Sequence, residues 1–303
     1  MQALWMLLAS LFFATLGVCV KFASAHFNSA ELVCYRGILG MLFIYLLMRS
    51  RGETLATRHP AMHAWRSLVG VVSLGAWFYA IGHLPLATAM TLNYMSSVWI
   101  AAVLVGGSLL AWRPGLQGAQ RPPQAALILS VLAGFAGVVM VLRPSLHDDQ
   151  LAASLIGLMS GMTAAIAYIQ VKTLSQMGEP EGRTVFYFAL GGAVAGAAAM
   201  ALAGVSQWTW AGAAWLVPMA LLATLGQLCM TRAYGSATTR GATLLVATLQ
   251  YSGIVFSALY SLLLFNDAIA PIAWAGMALI VASGVAASIL RGRTAPNAPA
   301  PEH

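Results

Sequence analysis

Asn93, Tyr94, Ser96, Ser97 and Trp99 stand close together inside one long apolar stretch, and Thr248, Gln250 and Tyr251 stand inside another. Amides, hydroxyls and indole N–H groups bind solutes by hydrogen bonding and stacking, and they break no covalent bonds unaided. The same chemistry recurs at Trp77 and Tyr79, at Tyr168 and Gln170, and at Gln227. An intramembrane enzyme would need paired Asp residues, a Ser–His pair or an HExxH segment at this depth, and the sequence has none. Charged candidates sit at the edges of apolar runs: Lys21, Glu31 and Arg36 around one turn, Arg232 and Arg240 around another. Each set has two readings, a gate or ion pair at a cavity mouth, or charges that orient helices and suit their dipoles. Glu31 and Arg36 are five apart and do not face each other squarely on a helix.

His147-Asp148-Asp149 has no further ligand nearby and reads as a solvated turn. Cys19, Cys34 and Cys229 lie in or beside apolar runs without metal or disulfide spacing and read as small buried hydrophobes. No GxxxxGK[ST] phosphate loop occurs, so nucleotide hydrolysis is not expected to drive anything directly. Neither a cofactor nor a metal is expected.

The elements that must position these side chains follow from composition. The 303 residues are 60% hydrophobic and only 8% charged. A soluble domain carries about 25% charged residues, so this chain could not cover itself in water and lipid is the fitting solvent. The net charge of +7 sits in short loops without interleaved aromatics, which argues for membrane topology and against nucleic acid. A bilayer core needs about 20 apolar residues per helix. Runs of that kind lie near 3–22, 30–48, 65–82, 86–111, 124–142, 152–173, 184–204, 212–233, 241–265 and 271–290, which predicts ten transmembrane helices. Prolines fall between runs or at their ends, except Pro218 early in the eighth. Ala23-Ser24-Ala25 resembles a cleavage site, but no basic segment precedes the first run, so it reads as a retained helix.

Lys and Arg then set the orientation. With both termini cytoplasmic, twelve basic residues, Arg66 among them, fall at inner loops and three (Lys21, Arg36, Arg143) near outer ends. Residues 292–303, rich in proline, read as a disordered cytoplasmic tail.

The two halves resemble each other. Leu92-Asn93-Tyr94 aligns with Leu249-Gln250-Tyr251, and Val98-Trp99 with Val255-Phe256. Five spans per half is an odd number, so the halves, 1–143 and 152–291, are expected to insert as inverted repeats around a site near the midplane. The expected class is therefore an all-α membrane protein of ten transmembrane helices in two inverted five-helix repeats.

Particular phrases add a resemblance. LPLATA followed by LNY and SSVW, the segment RAYGSATTRGATLLVATLQYSGIVF ending in LLFND, SAELVCYRG and GVVMVLRPS are similar to EamA-type carriers of the drug/metabolite transporter superfamily. Family members often have Asp and Glu where this chain has Thr88 and Asp267. The resemblance implies two EamA-like domains, a multi-pass protein of a bacterial inner membrane, and transport of a small metabolite. It also adds weight to Arg240, because that segment lines the pathway in similar carriers. The polar set reads as a binding cavity for a neutral, zwitterionic or anionic solute such as an amino acid or nucleoside-like compound, with the lipid bilayer and a coupling ion as further partners. The paired Asn93/Gln250 and Tyr94/Tyr251 are its first candidates. A non-transporting membrane subunit is the weaker alternative, because it has no use for an inverted repeat.

Overall fold

The computed structural model describes residues 2–96, 98–100, 102–103, 106, 125–142, 150–237, 245–246 and 248–294. The helices among them are α1 (Gln2–Ala23), α2 (Ser29–Ser50), α3 (Pro60–His83), α4 (Leu86–Tyr94), α5 (Ala125–Leu142), α6 (Leu151–Gln176), α7 (Glu181–Ala203), α8 (Leu216–Gly235), α9 (Ser252–Leu264) and α10 (Pro271–Thr294). A single helical turn, Trp210–Ala213, leads into α8. No strand occurs among the described residues.

Local chemistry explains several helix ends. Asn28 caps α2 by accepting from the Glu31 N–H at 3.0 Å, while its own N–H donates to Glu31 Oε2 at 2.7 Å, so two backbone donors are satisfied reciprocally. Pro60 opens α3 at a position where its missing N–H costs nothing. Gly178 follows α6 with φ +79°, a conformation that leaves glycine unstrained.

Among the described residues, six stretches are long and apolar enough to cross a membrane: α1, α2, α3, α6, α7 and Trp210–Gly235. Ile128–Val141, Ser252–Leu264 and Pro271–Ala287 are shorter apolar helices. Large side chains such as Leu4, Leu42, Leu46, Leu68, Val194 and Leu263 point outward. An apolar surface of that extent belongs in lipid rather than water.

α1 packs along α8, α3 along α6, α2 along α7 and α5 along α10, while α4 lies between α6 and α9. Small residues allow these backbones to approach, as between helices in lipid. A Cβ on Gly196 of α7 would lie 2.5 Å from the Cys34 nitrogen of α2. On α5 and α10 the contact is reciprocal: a Cβ on Gly137 would lie 2.9 Å from the Gly276 oxygen, and one on Gly276 would lie 2.7 Å from the Gly137 oxygen.

Two expected runs differ in detail. The third begins at Pro60 rather than 65, taking His63 into the helix, where it and Arg66 are buried. The fourth is interrupted at Met95, whose N–H reaches back only to the Leu92 oxygen at 3.4 Å. A matching irregularity occurs before α9, where Tyr251, Gly253 and Ile254 donate three residues back, to Thr248, Gln250 and Tyr251.

Candidate functional site

A face of α3 supplies one wall of the candidate site. Arg66, Gly70, Ser73 and Trp77 recur at spacings of four, three and four, so they lie above one another on one side of the helix. All four line a cavity completed by Phe13 and Leu74, by Asn93 and Tyr94, by Ala164, Ala167 and Tyr168, and by Phe188 and Gln227. Its walls thus come from α1, α3 and α4 and from α6, α7 and α8. The cavity measures about 50 Å³. That holds a few water molecules but falls well below the roughly 300–1,000 Å³ of a small-molecule site. A solute larger than a few waters needs the lining side chains or helices to shift.

Hydrogen bonds fix the polar wall. Asn93 Nδ2 donates to Ser160 Oγ at 3.0 Å, Ser160 Oγ donates to the Gly157 oxygen at 2.6 Å, and Ser73 Oγ donates to the Ser160 oxygen at 2.9 Å. α3, α4 and α6 are stitched together at one depth. The Tyr94 hydroxyl and the Trp77 indole N–H are buried with no hydrogen-bond partner among the described residues. Tyr168 stacks near Tyr234 with ring centroids 6.4 Å apart, and the Tyr234 hydroxyl donates to Gln250 Oε1 at 3.1 Å. Ser10 of α1 donates to the Gln250 oxygen at 3.3 Å.

Arg66 was legible only as an inner-loop cation, yet it is 3% exposed. Its guanidinium carbon sits 4.2 Å from the Phe188 ring centroid, and that of Arg36, 4% exposed, sits 4.9 Å from the same ring. Nε and Nη1 of both arginines lack a hydrogen-bond partner among the described residues.

The remaining candidates divide by location. Asn93, Tyr94, Trp77, Tyr168 and Gln227 line the cavity. Gln250 is tied to Tyr234 and Ser10 at its edge, and Tyr251 packs over Gly284 of α10. Thr248 is half-buried beside them. Gln170 is buried in α6 away from the cavity wall, and neither amide atom has a partner among the described residues. Trp99 packs edge-on against Phe135 at 5.0 Å, and Tyr79 stacks on His83 at 4.1 Å, both apart from the cavity. Ser97 and Arg240 lie outside the described residues, as does His147-Asp148-Asp149.

The outer charges do not form one cluster. Lys21 donates to Asp267 at 3.4 Å and to the Leu84 oxygen at 3.1 Å, and its ammonium lies 4.8 Å from the Phe265 ring centroid. Glu31 is wholly buried and engaged by Asn28 and by the N–H and hydroxyl of Ser206. Arg36 turns instead to Phe188, and Arg232 covers Trp5 at 4.7 Å. Sequence reasoning also missed a knot at the opposite end. There Glu179 accepts from Thr57 at 2.7 Å and Arg183 at 2.9 Å, with His63 Nε2 at 3.3 Å.

Comparison with known proteins places this architecture. The profile of the EamA-like transporter family matches residues 1–143. The pseudopaline exporter CntI of Pseudomonas aeruginosa is 32% identical over 93% of both chains. The chain belongs to the EamA-like transporter family. An uncharacterized transporter of Helicobacter pylori is 28% identical over 92% of this chain and 91% of its own. A riboflavin transporter of Vibrio cholerae is 26% identical over 62% of this chain and 61% of its own. A solved crystal structure shares the fold with a TM-score of 0.66 at 19% identity, covering 95% of this chain and 97% of that one. This EamA family member is a multi-pass membrane transporter, a role that its apolar exterior suits.

Proposed function

We propose that the chain is a secondary transporter that carries a small neutral, zwitterionic or anionic metabolite across a bacterial inner membrane by alternating access. The observation that carries this reading is the cavity between the halves, walled by three helices from each. Two inverted five-helix repeats, α1–α5 and α6–α10, account for that symmetry. Exchanging the halves turns α1 against α8 into α6 against α3, and leaves α2 against α7 and α5 against α10 unchanged, and all of these pairs are in contact. The exchange also relates the irregular turn after Asn93 to the one at Gln250, and the Ser160 contact with α4 to the Ser10 contact with the α9 approach. Interrupted helices facing a shared polar space suit substrate binding near the midplane, with one repeat rocking against the other.

Both termini are assigned to the cytoplasm from the Lys and Arg bias, which stands without Arg66. Relatives named as transporters favour transport over intramembrane catalysis.

The test is flux. Protein reconstituted in liposomes should exchange labelled amino acids, nucleosides or organic acids faster than protein-free vesicles, and Asn93→Ala and Gln250→Ala should slow it in folded protein. If both variants match the parent, the cavity assignment is wrong. Labelling that placed residues 143–151 and 294–303 on the same side of the membrane would overturn the inverted repeat.

A further inference from the structure

We propose that Arg36 and Arg66 form a receptor for a carboxylate of the transported molecule, so that the cargo is an organic anion; this rests on the transport reading above. Each guanidinium has five N–H donors in a planar fork and remains charged at any working pH. Burial of such a group is tolerated when it is paired. Here neither arginine has a carboxylate within ion-pair distance among the described residues. Three acids among the described residues are engaged elsewhere. Glu31 is held by Asn28 and Ser206, Glu179 by Thr57 and Arg183, and Asp267 by Lys21 and Ser261.

Phe188 offers both cations one ring face environment, at 4.9 and 4.2 Å, but a π-system accepts charge without satisfying the Nε and Nη1 donors left over. Two like charges at one ring also repel, and a bound anion removes that repulsion. Arg66 lies in the cavity wall itself, and among the described residues no Asp or Glu lines that cavity to compete for it. Tyr94 shares the cavity wall, and its hydroxyl, buried and without a hydrogen-bond partner among the described residues, lies against Gly253 of α9. Gly70 leaves the space through which the Arg66 side chain passes, and a side chain there would strike the guanidinium. The ligand chemistry that answers this arrangement is a planar oxyanion taken by a guanidinium fork, for which a carboxylate is the organic match.

The experiment uses the full chain in nanodiscs and in liposomes with matched pairs, glutamate against glutamine and succinate against succinamide, and inorganic phosphate as a separate probe. At least one carboxylate should raise the melting temperature of the wild-type protein at concentrations where its amide does not. Arg36→Gln and Arg66→Gln should each weaken that carboxylate at least tenfold, with Arg→Lys at either position recovering only part. Equal effects of acid and amide on the wild-type protein would overturn the proposal without recourse to any variant. So would unchanged carboxylate affinity in folded Arg66→Gln protein, or protection by phosphate equal to that by the best carboxylate. Selective binding without flux would leave the receptor standing and remove the transport reading. Flux of neutral solutes indifferent to both Gln substitutions would do the reverse.

Discussion

Lys21 Nζ and Asp267 Oδ2 meet at 3.4 Å although 246 positions separate them, joining the end of α1 to the turn after α9. Asp267 also accepts from Ser261 and, at 3.4 Å, from the N–H of Leu86 at the start of α4. The carboxylate therefore ties three elements and sits where the α4 dipole favours negative charge. Both partners are partly solvated, so the ion pair contributes on the order of 1 kcal/mol. Asp267→Asn should lower the melting temperature slightly and favour opening at this end. A cysteine placed at Ser73 should then react faster with a membrane-impermeant maleimide, and an unchanged rate would remove the latch.

Asn93→Ala deletes the amide that links α4 to Ser160. Ser160 keeps its bond to the Gly157 oxygen, so the fold should lose only about 1 kcal/mol while the cavity loses a polar wall. Flux should fall by much more than the loss of folded protein. The comparison is initial rate in liposomes against the melting curve in detergent, and parallel losses would make Asn93 a packing residue alone.

Helix positions were readable because lipid imposes long apolar runs; α1, α2 and α7 lie within three residues of the expected spans. Asn93, Tyr94 and Gln227 were readable because an amide or phenol in such a run must face protein or water. Arg66 was not, since counting loop cations cannot distinguish a guanidinium facing headgroups from one turned into the bundle. The signal that could have found it is the face it shares with Gly70, Ser73 and Trp77. Phe188 carried no signal, because an apolar ring in an apolar helix is silent until two arginines arrive from α2 and α3. The turn at Met95 also escaped notice, for no proline or glycine marks it. It occurs where Gly161 of α6 lies against the Leu92 and Asn93 carbonyls, a contact fixed only by tertiary packing.

Glu179, in the turn between α6 and α7, gives the stability a pH dependence of known sign. Burial pushes its carboxyl up, but hydrogen bonds from Thr57 and Arg183, the nearby His63 imidazole and the Arg183 charge outweigh that and hold it below the ordinary range. A depressed carboxylate contributes stability that is present above its unfolded value and lost as pH falls through the folded one. The melting temperature of the wild-type protein should therefore exceed that of Glu179→Gln at neutral pH. The gap should close on acidification below about pH 4, the unfolded carboxylate value. A gap independent of pH would assign Glu179 a role that does not need its charge.

Gly37 marks the closest approach of α2 to α7. A Cβ there would strike the backbone of Ala193, and Gly196 meets Cys34 from the facing side. Neither neighbour is a flexible side-chain tip, so the helices themselves must separate, and overpacking of this kind costs about 1–3 kcal/mol or more. Gly37→Val should lower the melting temperature and shift Arg36, the next residue along, away from Phe188, so carboxylate protection should weaken with it. Gly75, also in a membrane helix, has nothing within 4 Å of its Cβ position and serves as the control. Gly75→Ala should not lower the melting temperature and should leave the ligand response unchanged. If Gly37→Val behaves like Gly75→Ala, the two helices are not pressed together as described and the placement of Arg36 fails with them.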